Sequence, residues 1–461
     1  MAGDRIDTVY GPIAGYYECR PLLELCVEAG GVQTGPFGSQ LHQEDYVAAG
    51  TPIITVEHLG ENRIQHVDLP RVSDADRDRL MRYTLKQGDI VFSRVGSVDR
   101  RALVREAEEG WLFSGRCLRV RVDQQKIQPE YLSWFFGLPG FREHVRRVAV
   151  GATMPSINTK ILGDVQVYFP PLPEQKRIAQ ILGTLDDKIE LNRRMNATLE
   201  AISRAIFKSW FVDFDPVRQK AAGKQPVGMD AHTAALFPSS FQDSRFGPIP
   251  AGWKHTTLAD VCSLITDGAH QSPKSVEAGF PMASVKDMTN WEVNIPGCRH
   301  ISAVDFHALV ANGCLPERGD ILLAKDGATC LDTACEYQQS DEIVVLSSVA
   351  ILRPKNCSDS AFIHNWLGLS STKTYLKENF VSGSAIPRVV LRDLRRAQVV
   401  SPPRAVLDSF SDAASPLRKQ IRHSHEQLHT IAALRDTLLH KLLSGELRVP
   451  EAEQSVEEAI A

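Results

Sequence analysis

The hydrophobic residues of this chain change their spacing twice. After Pro170-Pro171, and again after Pro402-Pro403, they recur every three or four residues. Such a stripe predicts an amphipathic helix, here over about residues 174–211 and 405–443. The apolar positions are Ile178, Leu182, Leu185, Ile189, Leu199, Ile206 and Trp210 in the first stretch, and Phe410, Leu417, Ile421, Leu428, Ile431, Leu438 and Leu442 in the second.

The two stripes share one heptad phase. A shift of 232 positions places Leu185 on Leu417 and Ile189 on Ile421. A helix of this length spans roughly 55 Å, and a period near 3.5 favours an antiparallel two-stranded coiled coil of the two helices. Buried polar residues at Asn192, Asn196 and Ser424 would weaken its seam but fix its register. The alternative is two separate helices, each packed on its own domain.

The regions before the helices repeat as well. Gly11-Pro12-Ile13 recurs as Gly247-Pro248-Ile249, and the block 87–96 recurs as 318–327, each with a Gly-Asp turn before an apolar strand. Pro155 and Pro387 lie 232 positions apart, as do the Pro-Pro pairs. Repeats of this kind indicate a duplicated unit.

Each repeated region, termed a module here, is rich in short β-type runs between glycine turns. Examples are 52–56, 89–92, 117–122 and 343–346, and helical pieces are predicted at 129–136 and 362–369. The predicted fold class is α/β (α+β), with two pseudo-symmetric β-rich domains separated by two long antiparallel helices that form a coiled coil. The predicted boundaries are 1–170 for the first domain, 171–212 for the central helix, 213–245 for a connector, 246–402 for the second domain, 403–447 for the distal helix and 448–461 for a flexible tail.

Composition is that of a globular protein, with 43% hydrophobic and 23% charged residues. No apolar run is long enough for a membrane span and no secretory signal is visible, so a cytoplasmic location is expected. The nine cysteines are scattered singly, which favours reduced thiols over zinc or disulfides. The net charge of −4 requires any nucleic-acid surface to be local or shared with partners.

Catalytic motifs are missing from the sequence. It contains no phosphate-binding glycine loop, no nucleophile elbow and no His-Glu-x-x-His. The segment 213–217, Asp-Phe-Asp-Pro-Val, lacks most of an adenine-methylase signature and is interpreted as a helix stop. His423, His425 and His429 lie close together, but no carboxylate or cysteine partner in the sequence suggests a metal, and they are interpreted as a solvated helix face. We therefore expect a non-catalytic chain without a metal site.

Two similar modules held apart by helices suit duplex DNA, whose half-sites recur at helical spacing. The modules barely match outside the repeated blocks. Diverged modules on one scaffold indicate a bipartite, asymmetric target with one half-site per module.

Several segments resemble the specificity (S) subunit of type I restriction–modification systems. The most specific are Phe169–Ala179 (FPPLPEQKRIA) and Leu185–Ile189 (LDDKI), which are similar to the central conserved region of that family. Supporting segments are 210–216, 246–253 and 438–447. The second copy departs from the pattern, because Arg404–Asp408 (RAVLD) replaces the Leu-Pro-Glu-Gln-Lys of the first.

The resemblance implies a non-catalytic subunit that binds double-stranded DNA, two adenine-N6 methyltransferase subunits and a restriction motor subunit. S-adenosylmethionine, ATP and magnesium would belong to those partners, and none to this chain. The residues assigned to partner-binding helices are Glu174, Gln175, Lys176, Ile178, Leu182, Leu185, Ile189, Leu417, Ile421, Leu428 and Leu438.

Candidate DNA contacts are hydrogen-bonding side chains on loops that a sheet would hold in place. In the first module they are Gln33, Thr34, Ser39, Gln40, Ser93, Arg94, Ser97, Arg116, Thr153, Ser156, Asn158 and Lys160, with Arg119 on a basic strand nearby. In the second they are His270, Gln271, Lys274, Lys325, Thr329, Ser384 and Arg388.

Three other functions remain compatible with the residues alone. The chain could be a stand-alone repeat-built scaffold for proteins, a divergent methyltransferase or nuclease, or a homodimeric regulator with a palindromic target. DNA binding that requires partners, activity of the isolated chain and target symmetry would distinguish them.

Overall fold

The computed structural model describes residues 5–36, 38, 40–356, 358–383 and 387–460. Their contacts divide the chain into unit 1, residues 1–192 and 427–461, and unit 2, residues 193–426. Each unit contains one predicted module. The predicted boundaries placed each long helix in a segment of its own, whereas the contacts assign one half of each helix to each unit.

The two long helices dominate the helical content, and the helix bounds confirm the pieces predicted at 129–136 and 362–369. The helices are α1 (Asp74–Arg79), α2 (Pro129–Phe135), α3 (Pro139–Val148), α4 (Thr159–Gly163), α5 (Leu172–Phe211), α6 (Asp215–Ala221), α7 (Ala231–Ala235), α8 (Leu258–Val261), α9 (Ala303–Ala311), α10 (Asp359–Gly368), α11 (Ser370–Phe380), α12 (Leu391–Leu394), α13 (Arg404–Leu443) and α14 (Val449–Ile460).

The strands are short and fall into two similar series, one in each module. They are β1 (Arg5–Thr8), β2 (Gly11–Ala14), β3 (Glu18–Pro21), β4 (Val32–Thr34), β5 (Tyr46–Val47), β6 (Thr51–Ile54), β7 (Glu61–Asn62), β8 (Arg71–Val72), β9 (Ile90–Ser93), β10 (Arg101–Leu103), β11 (Leu112–Phe113), β12 (Cys117–Val120), β13 (Gln166–Phe169), β14 (Phe241–Gln242), β15 (Ile249–Pro250), β16 (Lys254–Thr257), β17 (Cys262–Asp267), β18 (Phe280–Ala283), β19 (Arg299–Ile301), β20 (Ile321–Ala324), β21 (Ala334–Glu336), β22 (Val344–Val345), β23 (Val349–Pro354), β24 (Val381–Ser382), β25 (Arg388–Val389) and β26 (Gln398–Ser401).

Unit 1 is built around the buried strand β9. The main sheet has the order β4-β12-β9-β10-β7, and a second sheet has the order β11-β6-β8-β5. Successive side chains of a strand point to opposite faces. Accordingly, Ile90 and Phe92 pack with Phe135 and the long helices, while Val91 belongs to the core beneath the second sheet.

Unit 2 repeats this topology around β20. Its main sheet has the order β17-β23-β20-β21, and its second sheet has the order β19-β18-β22. The parallel pair β11–β6 of unit 1 has its counterpart in the parallel pair β22–β18. Ile321 and Leu323 face the helical core, and Leu322 faces the other core. The duplication therefore extends from sequence blocks to strand order and to the direction of side chains.

The predicted Gly-Asp turns begin the two central strands. Gly88 and Gly319 have φ of +86° and +94°, a conformation that glycine adopts without steric cost. The carboxylate of Asp89 accepts a hydrogen bond from the backbone N–H of Lys86 at 2.8 Å, and Asp320 accepts one from Glu317 at 2.7 Å. The same turn chemistry thus starts the same strand in both units.

The long helices confirm the predicted repeat of 232 positions. Helix α5 and helix α13 each have 40 residues, and both their starts and their ends lie 232 positions apart. In unit 1 the two helix halves run antiparallel, because Asp186 meets Arg435 at 3.5 Å while the later Asn192 bonds the earlier Gln427 at 3.3 Å. The shared register predicted from the heptad phase is therefore found.

The helix halves in unit 2 pack through aromatic rings. The ring centres of Phe207 and Phe211 lie 5.6 and 5.1 Å from that of Phe410. Asn196 and Ser424 are buried, and their side-chain polar atoms have no hydrogen-bond partner among the described residues. The apolar stripes contact the modules as well as each other, so both interpretations of the helices describe part of the packing.

The prediction of a flexible tail is wrong, and the predicted connector is folded. The expected flexible tail, 448–461, is largely helix α14, whose Val449 and Ala452 are buried, and Arg177 of α5 bonds Glu453 at 2.7 Å. The connector 213–245 contains α6 and α7 and buries Val217 and Phe237 in the core of unit 2. In both segments the packing is made by apolar residues that recur at intervals along the chain.

Candidate nucleic-acid interface

Four loops of the first module meet at one end of its main sheet. The described residues of these loops are 33–36, 38, 40, 93–97, 114–116 and 151–160, and they are termed the first loop cluster. The backbone N–H of Arg94 donates to the carbonyl of Arg116 at 2.8 Å, and the N–H of Ile157 donates to the carbonyl of Arg94 at 2.9 Å. Arg94 therefore links two loops that are far apart in sequence.

Two further bonds tie the cluster together. The N–H of Gly96 donates to Pro155 O at 2.9 Å, and the N–H of Gly35 donates to Cys117 O at 3.2 Å. A Cβ atom on Gly35 would overlap the carbonyl oxygen of Ser114. Only glycine permits this close approach of two backbones.

The second module contains an equivalent second loop cluster, whose described residues are 267–274, 324–329, 347–349, 383 and 387–389. Here the N–H of Lys325 donates to Ser348 O at 2.8 Å, and the N–H of Val389 donates to Lys325 O at 2.9 Å. Ser348 and Val389 lie 232 positions after Arg116 and Ile157. The second loop cluster therefore repeats the first bond by bond.

The remaining bonds repeat as well. Gly327 donates to Pro387 O at 3.0 Å, and Gly268 donates to Val349 O at 3.2 Å. A Cβ on Gly268 would overlap the carbonyl oxygen of Val345. The aligned prolines at 155 and 387 thus mark the same main-chain acceptor in both clusters.

The side chains on this common backbone differ between the modules. Arg94 donates from Nη1 to Gly115 O at 3.0 Å, whereas Lys325 at the same place is buried and pairs with Asp267 at 2.6 Å. Arg116 is exposed, and its counterpart is Ser348. The two clusters therefore present different hydrogen-bonding groups in the same arrangement.

Most predicted DNA contacts in the described part of the chain reach the surface. The exposed candidates are Ser97, Arg116, Thr153, Asn158, Lys160, His270, Gln271, Lys274, Thr329 and Arg388, and the partly exposed ones are Gln33, Thr34, Gln40, Arg94 and Ser156. Ser93 and Lys325 are buried, so a local rearrangement would be needed before either touched DNA. Ser39 and Ser384 lie outside the described residues.

Several exposed candidates also have structural partners. The side chain of Asn158 caps α4 by accepting the N–H of Ile161 at 2.8 Å. Lys160 pairs with Asp164 at 2.6 Å, and Arg388 pairs with Asp326 at 3.1 Å. His270 lies 3.3 Å from Asp267. Exposed ion pairs contribute little stability, so Lys160 and Arg388 remain exchangeable with a phosphate.

Arg119 corrects the interpretation of a basic strand surface. Its side chain is buried, and Nη2 donates to Gly30 O at 2.8 Å. Burial is the main cause that lowers its pKa, and the neighbouring Arg121 adds to the effect. Arg119 therefore supports the loop that precedes β4.

Arg299 is a functional candidate that sequence reasoning missed. It donates to Pro273 O and to Ser272 Oγ, both at 2.8 Å, and so holds the loop that carries Gln271 and Lys274. It lies in β19, more than twenty residues after that loop, and no local pattern connects the two.

The residues assigned to partner-binding helices fall into two groups. Ile178, Leu182, Leu185, Ile189, Ile421 and Leu438 are buried within their own units, and Leu417 and Leu428 are partly buried. As folded, the buried side chains cannot contact a partner, which corrects their assignment as contact residues; they form the internal packing of the helices. Gln175 is also buried, because it accepts the N–H of Gln128 at 2.9 Å and donates to Pro170 O at 2.8 Å.

Two assigned helix residues stay accessible. Lys176 is exposed, and Glu174 is partly exposed and accepts a hydrogen bond from the hydroxyl of Tyr16 at 2.9 Å.

The prediction of a solvated face for the histidines on α13 holds for His423 and His429, which are exposed. His425 is partly buried and lies 3.8 Å from Glu292.

Two searches of the described residues gave negative results. No group of three or more His, Cys, Asp or Glu side chains there is placed to hold a metal ion. Nor does any helix within those residues combine the length and apolar character needed to cross a membrane. The cysteines in the same part of the chain are free thiols, and Cys357 lies outside it.

Comparison with known proteins finds similarity to one family. The family model described as "Type I restriction modification DNA specificity domain" matches residues 38–201. The MjaIX specificity subunit of Methanocaldococcus jannaschii is 25% identical over 353 residues, 74% of this chain and 74% of that protein. The HindI specificity subunit of Haemophilus influenzae is 24% identical and covers 84% of this chain and 92% of its own length.

The fold has a counterpart among solved structures. The S subunit of a type I restriction–modification system from M. genitalium matches with a TM-score of 0.57 and 14% identity, over 92% of this chain and 96% of that one. Subunits of this kind are the non-catalytic members of their complexes. Over most of its length the chain is thus similar to specificity subunits of type I restriction–modification systems, and it has the fold of the M. genitalium S subunit.

Proposed function

We propose that this chain is the DNA sequence-specificity subunit of a type I complex and that it recognises a bipartite, asymmetric target. Each loop cluster would contact one half-site. The observation that carries the proposal is the repeated set of backbone bonds around Arg94 and Lys325, which presents unlike side chains in the two modules. A rigid backbone with variable polar side chains is what base recognition in the major groove requires.

The loop clusters are suited to binding DNA together with partner subunits rather than alone. Exposed cations such as Arg116 and Lys274 are few, and the whole chain has a net charge of −4. Most non-specific affinity for DNA comes from neutralised phosphates. We infer that partner subunits supply most phosphate contacts, so that the isolated chain binds weakly.

The same proposal assigns the remaining roles to partners. Two adenine-N6 methyltransferase subunits would be held through the conserved helices, and a restriction motor subunit would join for cleavage. S-adenosylmethionine, ATP and magnesium would be bound by those subunits. The exposed Lys176 at the start of α5 supports a partner contact there, and its counterpart Asp408 in α13 makes the second contact unlike the first.

The deciding experiment maps adenine methylation in a host that lacks other methyltransferases. The chain is produced together with the methyltransferase subunit of its own operon, and the genome is sequenced with base-modification detection. We expect one interrupted, non-palindromic motif that disappears when this chain is omitted. A palindromic motif would favour a homodimeric regulator, methylation by the chain alone would favour an enzyme, and no methylation with intact partner binding would favour a scaffold.

A further inference from the structure

A buried carboxylate joins the first module to helix α5. Asp186 accepts a hydrogen bond from Arg63 at 2.7 Å, and Arg105 lies 3.4 Å from the same oxygen. The side chain of Asp186 is only 3% exposed. The exposed Asp187 beside it also pairs with Arg63. In unit 1 the helix is therefore acidic and the module basic where they meet.

The equivalent position in unit 2 carries the opposite charge. Arg418 lies 232 positions after Asp186, is buried, and forms an ion pair with Glu336. Burial, reinforced by the nearby Arg422, lowers the pKa of Arg418 to about 9. Lys419 replaces Asp187. Glu336 ends β21, the counterpart of β10, and Arg105 follows β10 by two residues. Here the helix is basic and the module acidic.

The two modules carry their opposite charges on matching turns. In unit 1 the N–H of Gly60 donates to the carbonyl of Arg63 at 2.9 Å, and in unit 2 the N–H of Thr289 donates to Glu292 at 2.9 Å. Arg63 and Glu292 therefore occupy the same position of the same turn with opposite charges. Glu292 faces α13, where its carboxylate lies 3.8 Å from His425.

The apolar pattern distinguishes the two helices only in part. They have the same length and the same heptad phase, with Leu185 and Ile189 matched by Leu417 and Ile421, although Phe410 and Ala414 replace Ile178 and Leu182. A wrong pairing would bury like charges together, and removing even one partner of a buried ion pair is strongly destabilising. Repulsion in the wrong pairing is a common source of specificity.

We propose that the inverted ion pairs make each module selective for its own helix: the first module accepts the acidic α5, and the second accepts the basic α13. The partner that each surface fits is thus a segment of the same chain, recognised by its charge. The proposal is independent of DNA binding, since it concerns which parts of the chain assemble.

The test exchanges charges in the full chain without changing its net charge. A helix exchange combines Asp186→Arg, Asp187→Lys, Arg418→Asp and Lys419→Asp. A module exchange combines Arg63→Glu, Arg105→Glu, Glu292→Arg and Glu336→Arg. A third protein carries all eight substitutions. A neutral control carries Asp186→Asn, Asp187→Asn, Arg418→Gln and Lys419→Gln. Every protein, including the reference, also carries Arg435→Gln, because Arg435 of α13 lies 3.5 Å from Asp186 and would repel an arginine at that position. The thermal unfolding midpoint is measured for each protein.

We expect the helix exchange and the module exchange each to lower the midpoint by about 10 °C or more, or to prevent folding. The neutral control should lose less than the helix exchange, because it removes attraction without adding repulsion. The eight-fold variant should recover at least half of the loss. A helix exchange no worse than the neutral control, or an eight-fold variant no better than the single exchanges, would overturn the proposal.

Discussion

The guanidinium of Arg121 donates two parallel hydrogen bonds to the carboxylate of Asp89, from Nε to Oδ1 at 2.7 Å and from Nη2 to Oδ2 at 2.6 Å. Asp89 is 1% exposed and sits in the turn that starts the central strand. Unit 2 repeats the contact, because Arg353 donates from Nε and Nη2 to Asp320 at 2.9 Å each. Bidentate pairs of this type combine directional hydrogen bonds with charge.

Replacing Asp89 by alanine should therefore destabilise unit 1 by about 3 kcal/mol, because the partly buried guanidinium of Arg121 loses its partner. Asp320→Ala should have a similar effect in unit 2. Chemical denaturation of the full chain measures both. The control is Asp164→Ala, which removes the exposed pair with Lys160 and should cost less than about 1 kcal/mol. Equal losses from all three substitutions would contradict the structural role of the bidentate pairs.

The close approach at Gly35 predicts a local effect on DNA recognition. Gly35→Ala must push the 33–40 loop away from Ser114. With the partner subunits present, we expect methylation of the native target to fall at least tenfold. Gly38→Ala in the same loop is the matched control, since a Cβ there meets no atom within 4 Å. If both variants methylate normally, the first loop cluster is not the recognition surface.

Arg116 offers the cleanest test of base recognition, because it is exposed and its side chain carries no structural bond that we identify. Arg116→Ala should reduce discrimination at one half-site by roughly 5- to 150-fold, as a bidentate base contact contributes about 1–3 kcal/mol. The other half-site should be unaffected. Methylation rates on a panel of single-base variants measure this. A uniform loss on every sequence would instead indicate a phosphate contact.

The helix residues predict separable effects on folding and assembly. Leu185 is fully buried in unit 1, so Leu185→Asp should unfold that unit before any partner is involved. Lys176→Ala should leave the circular dichroism spectrum and melting unchanged but weaken co-purification with the methyltransferase subunit. A folded Leu185→Asp protein would contradict the helix packing, and unchanged co-purification of Lys176→Ala would remove this lysine from the proposed contact.

Acid should destabilise unit 2 through His364. Burial is the main cause that lowers its pKa below 6.5 in the folded state. The unfolded chain therefore binds more protons as the pH falls through 6.5, and stability is lost in that direction. We expect the free energy of unfolding to decline between pH 7 and pH 5, and His364→Gln to flatten the decline. An unchanged slope in that variant would exclude His364 as the cause.

The sequence predicted the repeated scaffold well because duplication leaves marks at fixed spacing. The Gly-Asp turns, the prolines at 155 and 387 and the helix stripes all depend on local backbone rules, and the structure confirms them. Contacts between distant residues were less accessible. Nothing in the sequence near Lys325 indicated that this lysine would be buried in an ion pair with Asp267. Arg119 was assigned to a basic surface, but its side chain is buried. In the tail, Val449, Ala452 and Val456 have helical spacing that the surrounding charges obscured.

The bonds that the two loop clusters have in common join main-chain atoms. A substitution in these loops that spares the glycines and introduces no proline leaves those main-chain groups in place. If the proposed function is correct, a mutation in these loops changes which DNA sequence is recognised while the fold of the protein is kept. The duplicated copies could therefore drift apart one side chain at a time, each intermediate remaining a folded protein, and a lineage could acquire new targets in small genetic steps.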